Sequence, residues 1–460
     1  MRRGPEFSGI IYKEGVIMKK REKRFAGALL CAVLAMNLLS GCGGSGEQSG
    51  KTTEAKTDAA SGEAGTEKSE AAQSGKGEKL VYWSNWEATE PQGVVITKAV
   101  EAYEKESGIE VDLEFKGRKG IKEGLIPALD ADQQVDLFDG QGNKSNYGDR
   151  VIDLEELVKS HNYEAGTNPT MMALSRSYYE DGKLREIPYQ FKANGYLYNK
   201  KLFRQAGIET VPKNWQEFLA CEKLKAAGIT PLTTDDAYAP QAFGIHLARL
   251  IGTDQVKKLV KDGGWDQEAV LKAAGAFQDL ASKGYFSSMV GSNVWPTGQN
   301  TEFATGKVAM YCVGTWLPNE VKGITGPDFE WGFFNYPEVP DGINGENAMV
   351  IGAQSFGITS KCKNPEAAFA LIEKITRGEY DAMLAKETIG LPADKENQSW
   401  PEQLKDVKPY FENCTEIFAI SGGAENNPEL TPALKENLMK LYAGKLTAEE
   451  FAKNMEAAAK

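Results

Sequence analysis

Between Ile187 and Gly228 the chain changes its hydrophobic period twice, and few folds accommodate that change. Tyr189, Phe191 and Ala193, then Tyr196 and Tyr198, recur at period two through Gly195. Ile187–Tyr198 therefore reads as a strand with a flexible or closely approached point inside it. Asn199 caps a short helix whose Leu202, Phe203 and Ala206 share one face, and Gly207 ends it. Pro212 directs the chain into a second start, where Asn214 and Glu217 stand at capping-box spacing. Trp215, Phe218, Leu219 and Leu224 form the buried stripe of that second helix. It closes at Gly228 before the strand that begins Ile229-Thr230-Pro231, giving strand, helix, helix, strand.

The flanking regions follow the same alternation. Lys79–Trp83 starts a first strand, and a helix with Val95, Ala99, Ala102 and Tyr103 on one side follows near Gln92. Ile109, Val111, Leu113 and Phe115 alternate with Glu110, Asp112 and Glu114 as a second strand, and the helix Ile121–Leu129 leads to Val135–Phe138. Such spacing favours parallel βαβ units. Further on, Ala242–Leu250, Gln267–Ser282, Pro365–Arg377, Pro401–Ile420, Thr431–Tyr442 and Thr447–Ala459 read as helices. Val308–Val313, Glu330–Phe334 and Met349–Ile358 read as strands. A net charge of −12 argues against a nucleic-acid partner.

The N-terminus reads as an address. Lys19, Lys20, Arg21, Lys23 and Arg24 precede an apolar run from Phe25 to Leu39, too short for a membrane span of about 20 residues. Leu39-Ser40-Gly41-Cys42 matches the bacterial lipoprotein box, implying a signal peptide over 18–41, cleavage before Cys42, and a diacylglyceryl group on its sulfur. Two acyl chains, at about 0.8 kcal/mol per methylene, anchor a protein stably. Codons for Lys13–Gly15 can spell a ribosome-binding sequence ahead of Met18, so residues 1–17 read as a mis-annotated or vector-derived extension. Residues 42–78 are the lipidated cysteine and a flexible linker without large apolar residues. Removal of Cys31 and lipidation of Cys42 leave Cys221, Cys312, Cys362 and Cys414; a Cys362–Cys414 disulfide stays open.

Two dense motifs carry a resemblance. The first runs Tyr198-Asn199-Lys200, Leu202-Phe203, Ala206-Gly207-Ile208, Pro212, Trp215, Glu217-Phe218, then Lys223 to Pro231. The second is Glu302-Phe303-Ala304-Thr305-Gly306-Lys307, a buried strand, and Gly314-Thr315-Trp316. With the Gly444-Lys445-Leu446-Thr447 ending, the region 79–460 resembles the family 1 extracellular solute-binding proteins of sugar importers. The resemblance implies an α/β fold of two lobes, each a mostly parallel sheet flanked by helices, joined by three hinge crossings. The lobes are expected over 79–190 plus 343–390 and over 191–342 plus 391–460. Pro337–Asn347 is the expected second crossing and Thr388–Pro392 the third.

In open α/β sheets ligands gather beyond the carboxyl ends of strands. Two such ends are Trp83-Ser84-Asn85-Trp86-Glu87 and Asp139-Gly140-Gln141-Gly142-Asn143. Trp83, Trp86, Tyr238, Trp295 and Trp316 are the expected stacking groups, because an aromatic plane covers the apolar face of a sugar ring. Glu87, Asp139, Gln141 and Asp236 are the expected hydroxyl partners, since a carboxylate accepts from two neighbouring hydroxyls. The resemblance places Asp236 and Tyr238 where relatives line the cleft with an acid and a ring. Ser421–Glu425 is a further loop expected to face it.

No HExxH, CxxC, GxSxG or phosphate-loop pattern occurs, and His161 and His246 are the only histidines, the latter within an apolar helix. The expected protein is no enzyme and carries no cofactor and no metal. It is a monomeric, lipid-anchored receptor on the outer face of the bacterial membrane, handing a carbohydrate to the permease of an ATP-driven importer. The same fold binding iron, a polyamine or a peptide is the alternative, and a glycan-active enzyme the remote one.

Overall fold

The strand that opened the sequence argument is the spine of the protein. In a computed structural model, describing residues 79–142, 144–219 and 221–460, β4 runs from Ile187 to Asn199. Signal peptide, Cys42 and linker lie outside the described residues. With β1 Lys79–Ser84, β2 Glu110–Phe115, β3 Leu137–Gln141, β5 Thr230–Thr233, β6 Val308–Gly314, β7 Trp331–Phe334, β8 Ala348–Ile358 and β9 Glu416–Phe418, the frame is complete. Its hydrogen-bonded order is β2-β1-β3-β8-β4-β6-β5, with β7 beside β4 and β9 beside β8.

Pairing divides this path into two lobes. The β1–β2, β1–β3, β5–β6 and β8–β9 pairs are parallel, as βαβ connections require. The antiparallel ladders are those of β4 and β8, the strands that pass between lobes. β8 pairs Leu137–Gln141 of β3 through its second half, and Val350–Gly352 of its first half pair Lys192–Asn194. The crossing is thus made by β8 itself. Pro337–Asn347, expected to cross, instead lies on the second lobe: the Glu338 N–H donates to Lys213 and the Ile343 N–H to Arg249. The third connection passes beside β4 through a Phe191–Leu391 bridge.

β4 is buried on both faces along nearly all its length, which explains why it carries a single charged residue, Lys192. Tyr189, Phe191, Ala193 and Leu197 join the core that also holds Tyr82, Ile96, Phe356 and Phe369. Tyr196 and Tyr198 join the second, around Trp215, Phe277 and Tyr336. Gly195 is the closely approached point: a Cβ there would stand 2.6 Å from the Phe333 ring and 2.7 Å from the Phe334 carbonyl. Asn199 caps Lys200–Gln205 through the Lys201 and Leu202 N–H groups, and Asn214 caps Trp215–Phe218 through that of Glu217.

Some elements differ from expectation. Pro401–Ile420 is not one helix: a 3-10 turn Glu402–Val407, the helix Lys408–Glu412 and β9 occupy it, because Ala348–Val350 offer an unpaired edge to Glu416–Phe418. The helices Thr253–Asp262 and Gly378–Thr388 are additional. Trp265 is fully buried, and Cys362 and Cys414 are both free thiols. No helix among the described residues is long and apolar enough to cross a membrane.

The two histidines separate by environment. Burial, then the nearby Arg249 charge, pushes His246 down to about 3, so it stays a neutral core group bonded to the Tyr336 hydroxyl. His161 instead faces Glu373 at 2.8 Å and Glu366 at 2.9 Å, one carboxylate on each ring nitrogen. Burial works against its charge, yet the two carboxylates outweigh burial and raise its pKa. Its contribution is therefore complete below the unfolded value of about 6.5 and lost as pH rises through the folded value. His161→Gln is expected to lower the melting temperature more at about pH 5.5 than at about pH 9. Thermal unfolding at both pH values checks this; equal losses would show that the carboxylate pairs contribute nothing.

Candidate ligand-binding cleft

β6 ends at Gly314, and the chain turns at once into the short helix Leu317–Glu320, leaving Trp316 at the lip of the second lobe. Its ring lies back over the strand end. A Cβ on Gly314 would stand 1.9 Å from Trp316 Cζ3, so only glycine lets the indole lie there. Tyr238, at the end of the segment following β5, sits 5.7 Å from Trp316 at an interplanar angle of 39°. Burial raises its phenol pKa well above the ordinary value, so it remains a neutral donor and acceptor. Trp295 lies in the next loop and is 43% exposed.

The floor of the cleft is Lys192, on β4. The β4–β8 register shifts between Tyr189 and Lys192, and Gln190 there takes φ 47°. A bulge of this kind re-aims the side chains that follow it. The Lys192 ammonium stands 5.8 Å from the centre of the Trp316 ring. Burial, then repulsion from Arg118, pushes its pKa down, while the charges of Glu320 and Glu90 oppose that shift. Glu90 and Arg118 belong to the first lobe and Glu320 to the second, so Lys192 senses both walls.

On the first-lobe wall the Arg118 guanidinium forks onto Glu90 at 2.5 and 2.7 Å and lies 4.6 Å above the Trp86 ring. Burial would raise the Glu90 pKa, but the Arg118 fork and the Glu87 amide together bring it below the usual range. On the opposite wall Glu320 accepts from Asn300 Nδ2 at 3.1 Å, and burial raises its pKa against that bond and one from the Trp295 indole. Next to these, two successive aspartates divide the work. Asp235 accepts the N–H groups of Ala237 and Tyr238 and the hydroxyl of Tyr311, whereas Asp236 accepts the N–H of Trp295 at 2.9 Å.

Of the residues expected from the sequence, Asp236, Tyr238, Trp295 and Trp316 come together, with Glu87 exposed on the first-lobe side next to Gly117. Three are built into the frame. Trp83 is buried beside Ile121 and Phe138, donates its indole N–H to Glu114 at 2.9 Å and lies under Lys116. Trp86 is 3% exposed and donates to the Tyr189 hydroxyl. Asp139 is fully buried because it pairs with Phe356 of β8 and β3 continues past it to Gln141, and its oxygens accept Asn85 N–H and Tyr189 O–H. Gln141 is exposed at the end of β3, paired with Gln354. Of the loop Ser421–Glu425, Ser421–Ala424 is buried against the helix Ala239–Ile251, while Glu425 is partly exposed and its charge adds to the rise of the Tyr238 pKa.

Lys192, Arg118, Glu90, Asn300 and Glu320 join this region and were not among the residues expected from the sequence. Two signals were present. Lys192 is the one charge in Ile187–Asn199, and a lone charge in a buried strand marks a special position. Arg118 stands just past the end of β2, a strand end as suitable as those of β1 and β3. Surface hollows at Phe203–Met310 and Met383–Trp400 share none of these residues.

Gly314→Ala is expected to displace the Trp316 ring and lower stability by about 1–3 kcal/mol. Chemical denaturation of both single variants and of Gly314→Ala with Trp316→Ala checks this. The pair should be markedly less damaging than the sum, because removing the ring removes the clash; strict additivity would contradict the packing described.

Comparison with known proteins identifies the family and the fold. The family model for bacterial extracellular solute-binding proteins matches residues 87–382. A putative binding protein of Brucella abortus (strain 2308) is 27% identical over 228 residues, covering 47% of this chain and 52% of that protein. The chain thus spans about half the length of that relative. A maltooligosaccharide ABC transporter solute-binding lipoprotein of Streptococcus pneumoniae serotype 4 is 25% identical over 373 residues, 72% of this chain and 79% of that one. The solved structure of a chitin oligosaccharide binding protein superposes with a TM-score of 0.63 at 22% identity, over 84% of this chain and 98% of the other. That likeness establishes the two-lobed fold. With well over half of its length matched, the chain belongs to the bacterial extracellular solute-binding protein family.

Proposed function

We propose that this protein is the substrate-binding lipoprotein of an ABC importer and takes a carbohydrate, an oligosaccharide, into the cleft between its lobes. The observation that carries the reading is the group Trp316, Tyr238 and Trp295 gathered on one wall above Lys192. Rings of this kind cover the C–H faces of sugars, while Lys192, Arg118, Glu90, Glu320 and Asn300 offer donors and acceptors to the hydroxyl edge. The charges balance locally: Arg118 is forked to Glu90, and Lys192 lies between carboxylates, which suits an uncharged polar ligand. Relatives whose names specify maltooligosaccharide and diacetylchitobiose support the same class.

The lobes are taken as 79–190 with the second half of β8 and the chain on to 390, and as 191–347 with the first half of β8 plus 391–460, hinged where β4 and β8 pass between them. Ligand touching both walls stabilises their closed arrangement, and that closed surface is presented to the permease. The chain acts as a monomer, held on the outer face of the membrane by lipid on Cys42, and performs no catalysis.

A thermal-shift screen against monosaccharides, malto- and chito-oligosaccharides, polyamines, peptides and ferric chelates tests this. A ligand that binds only the folded state raises the melting temperature with its concentration. A saccharide is expected to do so without being cleaved, and Trp316→Ala is expected to weaken its binding by about 1–3 kcal/mol with little loss of stability. A response confined to peptides, polyamines or chelates would overturn the carbohydrate assignment.

A further inference from the structure

Trp295 poses a physical question. It is 43% exposed, between Val294 at 59% and an exposed Pro296, in a loop that also exposes Met289 at 51%. Apolar side chains displayed from a loop tend to fold down or wander unless the loop is tied. This loop is tied at the residues flanking the ring. Asn293 is 3% exposed and its amide donates to Thr233 Oγ1, the Thr234 carbonyl and Glu302 at 3.3, 3.2 and 3.0 Å. Asp236 completes the tie from both sides: its N–H donates to the Asn293 carbonyl at 3.3 Å, and its Oδ1 accepts the Trp295 N–H at 2.9 Å. The Glu320 carboxylate lies against the indole N–H and is itself held by Asn300.

We infer that Asp236 is a positioning residue that holds Trp295 as a preset stacking plane, and that its carboxylate serves the loop rather than the ligand. Its neighbour Asp235 does the same for Tyr238, whose N–H it accepts at 2.9 Å. The two consecutive acids thus orient two rings of one wall, and Trp316 is oriented by Gly314. A wall ordered before ligand arrives loses less entropy on binding, so the effect of Asp236 appears in affinity through Trp295. The ligand half of this inference rests on the carbohydrate reading; the positioning half stands on the loop geometry alone.

The test separates the two halves. Asp236→Asn keeps an oxygen that can accept the Trp295 N–H but removes the charge; Asp236→Ala removes both. In the ligand-free full-length protein, iodide quenching of tryptophan fluorescence, with Trp295→Phe as the blank, reads how Trp295 is held. Asp236→Ala should change the Trp295 component and Asp236→Asn should leave it as in the parent. Titration with malto- and chito-oligosaccharides should show Asp236→Asn within about two-fold of the parent. Asp236→Ala should be weaker by about ten-fold or more, with no further loss when combined with Trp295→Ala. If Asn is as damaging to affinity as Ala, the carboxylate contacts the ligand and the inference fails; unchanged quenching in Asp236→Ala overturns it equally. If the parent binds no saccharide, the carbohydrate reading falls, and the quenching comparison still decides the positioning role.

Discussion

The antiparallel ladder between β4 and β8 is the constraint on which the rest depends. Both strands are long enough to serve two lobes: β8 carries β3 on one side and β4 on the other, and β4 continues into pairing with β6 and β7. Backbone groups buried in such a passage must be paired, and in a strand buried on both faces only neighbouring strands can pair them. The ladder therefore fixes where each lobe begins. Its single irregularity, the bulge at Gln190, sits next to Lys192, the charge that forms the cleft floor.

The carboxylates of this protein follow one pattern. Asp139, Asp235, Asp236 and Glu90 each accept main-chain N–H groups of a segment next to the cleft. A carboxylate has lone pairs enough to tie several amides at once, and near a helix start or strand end it satisfies donors the secondary structure leaves over. Asp139 shows the cost of using a fully buried one: burial raises its pKa, and the Tyr189 hydroxyl and Asn85 amide offset only part of that. Two of these acids, Asp235 and Asp236, thereby tie the main chain at Tyr238 and Trp295.

Much of this was legible in advance where the signal was local. The helix starts at Asn199 and Asn214, the close approach at Gly195 and the exposed Trp295 rest on residues within one turn or one strand of each other, whereas Trp316, expected to be exposed, is half-buried. The misreadings share a cause of the opposite kind. Trp83 and Asp139 looked like strand-end residues, yet β8, more than two hundred positions later, pairs along β3 through Gln141 and encloses Asp139, while the helix Gly117–Asp130 and Phe138 cover Trp83. β9 was hidden for the same reason: its strand character comes from the edge it completes.

By itself the sequence determined the alternation of strands and helices, the strand Ile187–Tyr198 with its close approach at Gly195, the capping residues, the placement of His246 in an apolar helix and the family that the chain resembles. Those features follow from side-chain period and near-neighbour hydrogen bonding, which a linear order records. Only the tertiary structure decided which aromatic rings are buried in a core and which stay accessible, which acids tie main-chain N–H groups, and that Lys192 feels the charges of Arg118 and Glu320. Those outcomes depend on partners far apart in the chain, brought together by the passage of β4 and β8, and no local period encodes them.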